Sequence, residues 1–157
     1  MHIGINSKKF DITSEIKTKE ISEKLTHYLK RGDVVFLYGE VGTGKTTFVK
    51  QFINCLQKKR NEIVDEIPSP TFNILNEYEI KDLKILHYDL YRIKDHNELM
   101  NLGQIINHND ALTFIEWPDL VKNSISEFLS LNFFYEDDLQ KRSLTISTNN
   151  YKIINEI

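Results

Sequence analysis

"LYGEVGTGKTTFVKQF", Leu37 to Phe52, is the stretch that decides the fold. Three glycines fall within the six positions Gly39 to Gly44, Lys45, Thr46 and Thr47 follow, and the pattern then turns amphipathic. From Thr46 onward, Phe48, Val49, Phe52, Ile53 and Leu56 keep helical spacing. Upstream, "DVVFLYG" is a short, continuous apolar run, as expected of a strand buried on both faces of a parallel sheet. A glycine loop between a buried strand and a helix is a phosphate-binding arrangement. Gly39, four intervening residues (Glu40, Val41, Gly42, Thr43), then Gly44-Lys45-Thr46 match the Walker A pattern in full. Glycine lets the backbone take positive φ and turn its N–H groups inward with no Cβ in the way. The resulting nest of donors faces an anion, and the start of the helix adds the positive end of its dipole. Lys45 reaches the β- and γ-phosphates, and the Thr46 hydroxyl fills one position of an octahedral Mg²⁺. The loop is expected to hold a nucleoside triphosphate with Mg²⁺.

Working outward, residues Thr18 to Lys30 put Ile21, Leu25, Tyr28 and Leu29 on one helical face, with Thr18 as cap and Gly32 as stop. Pro68 and Pro70 break the chain in "IPSPTF". Beyond them Phe72, Ile74, Tyr78 and Ile80 alternate as in a half-exposed strand, which "KDL" turns into a second strand, "KILHYDLYRI". Asp95 and Glu98 resemble a capping box before a short helix from Asn97 to Leu102. "ALTFIEW" is another buried strand, stopped by Pro118. A further helix and two final strands, "LNFFYE" and "RSLTIST", complete the order. This predicts an α/β, P-loop NTPase fold: a single domain, 1–157, with a central mixed, mostly parallel sheet flanked by helices.

A P-loop needs an acidic partner for its metal at the end of a neighbouring strand. Glu116 ends "ALTFIEW" and Asp89 ends "ILHYD"; either is a candidate metal ligand beside Thr46, and the residues leave open which. No Asn-Lys-x-Asp run marks guanine. The arginines (Arg31, Arg60, Arg92, Arg142) are too scattered for the lid of a small-molecule kinase, which stays the alternative. A net charge of −3 gives no general attraction to nucleic acid or to an anionic membrane. Lys58-Lys59-Arg60, the only local basic run, reads as a solvated helix end. Cys55 is the only cysteine, so a reduced cytoplasm fits. No apolar run is long enough to span a membrane, and the N-terminus lacks a signal-peptide core.

"GEVGTGKTTF", "SPTF", "HYDLYR" and "IEWPD", in this order and in a chain of this size, resemble the small bacterial P-loop ATPases of the TsaE family. The resemblance runs from about Thr18 to Asp119, more weakly to the end. Val41 and Thr43 stand where the family most often has Leu and Ala, with the glycines kept. The resemblance implies a role in threonylcarbamoyladenosine formation in tRNA, at the adenosine next to the anticodon. It implies ATP and Mg²⁺ as cofactors and a TsaB–TsaD complex as partner, with tRNA met only through that complex and no membrane involved. It also implies roles for residues: Lys45 on the phosphates, Thr46 and Glu116 on Mg²⁺, and Asp89 as an acid needed for activity. Thr71 falls in a switch-like segment near the γ-phosphate, and Trp117 close to the nucleotide. Glu15 and Arg142 fall where the family makes peripheral nucleotide contacts.

Overall fold

A computed structural model describes residues 4–101 and 109–157. Short strands β1 (Ile5–Asn6) and β2 (Phe10–Asp11) precede helix α1 (Glu15–Leu25), strand β3 (Val34–Tyr38) and helix α2 (Lys45–Lys59). The hairpin β4 (Leu75–Ile80) and β5 (Leu83–Asp89) follows, then α3 (His96–Met100), β6 (Ala111–Glu116), a 3-10 turn at Pro118–Leu120, β7 (Leu129–Glu136), β8 (Lys141–Thr148) and α4 (Tyr151–Glu156). One mixed sheet runs in the order β1-β8-β7-β3-β6-β5-β4, with β2 also on β8. Its four central strands, β7, β3, β6 and β5, are parallel. Both margins are antiparallel, where β8 and β4 turn back on their hairpin partners.

Alternation along the central strands sends side chains to two layers. Val35, Leu37, Leu112, Phe114 and Ile85 pack under α1 and α2 through Ile21, Leu25, Phe48, Val49, Phe52 and Ile53. Phe36, Leu86, Tyr88 and Ile115 face the other way, against Leu90, Leu99 of α3 and Val121. The Phe52 and Phe114 rings meet edge-on at 5.0 Å. Each such fully buried side chain contributes about 1.5–3 kcal/mol relative to exposure. The continuous apolar run of β3 is therefore explained: it is covered on both faces and flanked by β6 and β7.

Several boundaries differ from the sequence reading. α1 is capped four residues before the expected Thr18, by Ser14, whose side chain accepts the Lys17 N–H at 3.3 Å. Thr18 lies one turn inside, buried, with its hydroxyl donating to the Ser14 carbonyl at 3.3 Å. The helix also ends at Leu25 rather than Lys30; the Thr26 hydroxyl donates to the Glu23 carbonyl at 2.6 Å and competes with continued helix bonding. β4 starts at Leu75, not Phe72. Ile74, at φ +67°, closes a turn by donating its N–H to the Pro70 carbonyl at 2.7 Å. The expected helix after β6 is only the 3-10 turn and the turns that follow it. Asp95 does cap α3, accepting the Glu98 N–H at 2.9 Å; Leu102, the expected helix end, lies outside the described residues.

Candidate functional site

The carboxyl ends of β3, β6 and β5 lie level. Leu37 is in register with Glu116, and Glu116 with Asp89. The chain leaving β3 therefore makes its glycine loop directly beside the two carboxylates, at the strand ends where open α/β sheets bind ligands. Gly39, Gly42 and Gly44 have φ of +147°, +81° and +112°. A Cβ on Gly39 would meet the Phe133 carbonyl at 2.7 Å, and one on Gly42 would strike the Tyr135 hydroxyl. Gly44 is the N-cap of α2 and offers no side chain to the helix end. Phe48 is the first residue whose N–H reaches back into the helix, to Gly44 at 2.9 Å. The N–H groups of Lys45, Thr46 and Thr47 precede it and have no intrahelical acceptor.

A cavity of about 450 Å³ opens over this helix end, lined by Val41, Gly42, Gly44, Lys45, Thr46 and Thr47 from the loop and helix. Thr71, Asp89, Glu116 and Trp117 line it from the strand ends, and Glu15 and Arg142 from the far wall. Of the sequence candidates, Gly39, Glu40 and Thr43 stand outside that lining. They border a second hollow beneath the loop, beside Tyr135 and Leu139. Thr43 is buried and braces the loop, donating from its hydroxyl to the Glu40 carbonyl at 2.7 Å.

The Lys45 ammonium donates to the Gly39 and Glu40 carbonyls at 2.6 and 2.8 Å and lies 4.4 Å from the Trp117 ring centroid. Burial lowers its pKa from the usual lysine value, and the Glu116 and Asp89 carboxylates oppose that shift. Thr46 Oγ1 donates to Glu116, with its oxygens at 2.8 and 3.0 Å. Glu116 Oε1 also accepts from His87 Nε2 at 2.8 Å, and His87 is fully buried. A carboxylate only accepts, so the His87 proton is on Nε2; Nδ1 has no hydrogen-bond partner. Asp89 accepts from the Tyr91 N–H at 3.0 Å and from the Thr71 hydroxyl at 3.2 Å. Thr71, in the Pro-bracketed segment, is thereby tied to the strand end. Trp117 stands at φ +57°, a conformation bulky side chains seldom adopt, and this turns its ring back over Lys45 and against Tyr91 at 4.8 Å.

These residues fit a nucleotide with a hard cation. A dense set of N–H donors and one ammonium face the cavity, and a hydroxyl and two carboxylates sit beside them. Mg²⁺ takes few protein ligands and completes its shell with phosphate oxygens and water. Among the described residues no cluster of three or more His, Cys, Asp or Glu is placed to hold a metal alone, so the cation would be held by Thr46 and a carboxylate together with the phosphates. The Arg92 guanidinium lies 4.8 Å from the Phe72 ring centroid. Tyr135 was not foreseen as part of the site, whereas the sequence reads His87 equally as a core or a site residue, and it is buried and bonded to Glu116. The only sequence signal for His87 was its place two residues before Asp89 on the same strand.

Sheet, glycine loop and helix end define a P-loop nucleotide-binding protein. The model of the family described as threonylcarbamoyl adenosine biosynthesis protein TsaE matches residues 12–144, and the chain belongs to that family. A tRNA threonylcarbamoyladenosine biosynthesis protein TsaE from Rickettsia conorii is 36% identical over 138 residues, covering 88% of this chain and 77% of its own. The proteins of the same name from Bacillus subtilis and Haemophilus influenzae are 34% and 31% identical, covering 71% and 85% of this chain and 66% and 81% of their own. A crystal structure of Bacillus subtilis YdiB superposes with a TM-score of 0.70 at 27% identity, covering 99% of this chain and 95% of that one. Among the described residues, no helix is long and apolar enough to cross a membrane.

Proposed function

We propose that the chain works as one domain and is a Mg²⁺-dependent ATPase serving threonylcarbamoyladenosine modification of tRNA in the cytoplasm. It acts with a TsaB–TsaD complex whose turnover its hydrolysis drives or resets. The observation that carries this reading is the Thr46 hydroxyl on the Glu116 carboxylate at 2.8 Å, with Asp89 next in register. An oxygen set so placed at the start of α2 is what a phosphate-bound Mg²⁺ requires. When bound, the metal neutralises charge on the β- and γ-phosphates. Lys45 holds the same phosphates as a fixed ammonium, and the N–H groups of the loop and the first turn of α2 orient them. Trp117 and the loop close off one side from water. Asp89 holds Thr71 through one hydrogen bond, so a change at Asp89 passes to the segment Pro68 to Phe72. That is the kind of order change by which a γ-phosphate is read.

The modification chemistry itself is assigned to the partner. The net charge of −3 gives the chain no general attraction to tRNA. The test is ATP turnover by the purified chain, alone and with the TsaB–TsaD heterodimer of the same organism. Slow turnover alone that rises with the heterodimer, and is lost in Glu116→Ala and Asp89→Ala, is expected. Fast turnover unaffected by the heterodimer, or phosphate passing from ATP to a metabolite, would overturn the reading in favour of a small-molecule kinase.

A further inference from the structure

The tip of the phosphate-binding loop is fastened from outside. The Tyr135 hydroxyl, near the end of β7, donates to the Val41 carbonyl at 2.8 Å. A nest presents N–H groups inward only while its carbonyls point outward. In this loop the carbonyls of Gly39 and Glu40 are held by Lys45, and Glu40 also by Thr43. Both holders belong to the loop or to the helix it starts. Val41 is held by a different element, the β7–β8 hairpin. The same hydroxyl occupies the space where a Gly42 Cβ would stand, and the next ring atom is 3.8 Å away. Tyr135 is in register with Arg142 of β8, whose guanidinium lies 5.9 Å from its ring centroid and whose buried Nε has no hydrogen-bond partner. Arg142 also lines the nucleotide cavity.

We propose that Tyr135 is a positioning residue for the nucleotide site, its hydroxyl setting the height and carbonyl direction of the loop at Val41–Gly42 so that the inward N–H groups are preformed. The proposal rests on the nucleotide-binding reading above. It gives the glycine at position 42 a second reason besides its positive φ: the position is filled by a side chain from another strand.

The experiment is a double-mutant cycle of Tyr135→Phe and Gly42→Ala in the full chain. ATP affinity is read from the fluorescence of Trp117, the only tryptophan, which sits over Lys45. KM and kcat for ATP, and the melting midpoint, are measured beside it. Tyr135→Phe is expected to weaken ATP binding about five-fold, the size of one neutral hydrogen bond. This should appear in KM more than kcat, with an unchanged melting midpoint. Gly42→Ala is expected to weaken binding far less in the Tyr135→Phe background than in the wild type, because the clashing atom is gone. Wild-type ATP binding with unchanged affinity in Tyr135→Phe, or strictly additive effects in the cycle, overturns the role of Tyr135 and leaves the nucleotide reading standing. A wild-type chain that fails to bind ATP overturns both.

Discussion

Glu116 receives two donors of different origin, the Thr46 hydroxyl from the helix start and His87 Nε2 from the neighbouring strand. The histidine engages Oε1, which also lies 2.8 Å from the Thr46 hydroxyl, while Oε2 lies 3.0 Å from that same hydroxyl. If Glu116 holds Mg²⁺ as proposed, His87 is the orienting partner of that carboxylate, a role whose removal commonly costs 10–100-fold in metal affinity. His87→Leu keeps an apolar side chain of similar bulk in the fully buried position but removes the donor. It is expected to raise the Mg²⁺ concentration for half-maximal ATP turnover about ten-fold, while circular dichroism stays native; an unchanged Mg²⁺ requirement would show that Glu116 is oriented without it. Residues set by a fixed local pattern were legible by position: Gly44, Lys45 and Thr46 come together at the cavity, while Gly39 of the same pattern stands outside its lining. Partners supplied from distant strands were not, since His87 and Tyr135 lie 29 and 94 residues from the groups they hold. No local spacing encodes such a meeting; only strand order does.

Strand β3 shows why the fold was readable from one stretch. A run of apolar residues with both faces covered needs strands on either side, and β6 and β7 supply them. Val35 is fully buried at its centre. Val35→Asp buries an unpaired charge, costs several kcal/mol or forces the strand out of the sheet, and is expected to abolish the native circular dichroism spectrum at 25 °C. Lys45→Ala, ten residues on, is expected to keep that spectrum while losing ATP binding, because the contacts it removes, to the Gly39 and Glu40 carbonyls and the Trp117 ring, lie at the loop and not in the sheet core. Equal loss of structure in both variants would make the loop a structural element. Other elements resisted the sequence because their determinants are weak or nonlocal. β1 and β2 are two residues each, too short for any period, and exist only by pairing with β8. The start of β4 was misplaced because nothing in the sequence announces that Ile74 takes a positive φ.

Across the whole molecule, ligand binding and folding are linked through α2, whose first turn faces the cavity and whose body is core. A ligand at a hundred times its dissociation constant adds about 2.7 kcal/mol to stability, and each kcal/mol moves the midpoint about 2–4 °C in a domain of this size. ATP with Mg²⁺ is therefore expected to raise the melting midpoint by roughly 5–10 °C. Glu116→Ala should keep the part that ATP alone provides and lose the part added by Mg²⁺. A midpoint that ignores Mg²⁺ in the wild type would count against the metal site. The same helix carries Cys55, 8% exposed among the residues of its buried side. Burial, reinforced by Glu23, pushes its thiol up from the ordinary cysteine value, which disfavours the thiolate. Alkylating reagents attack thiolates that they can reach. The protein thus carries a built-in stopwatch: its single thiol is silent while α2 is seated, and the rate at which it takes a label counts how often the helix lifts from the sheet.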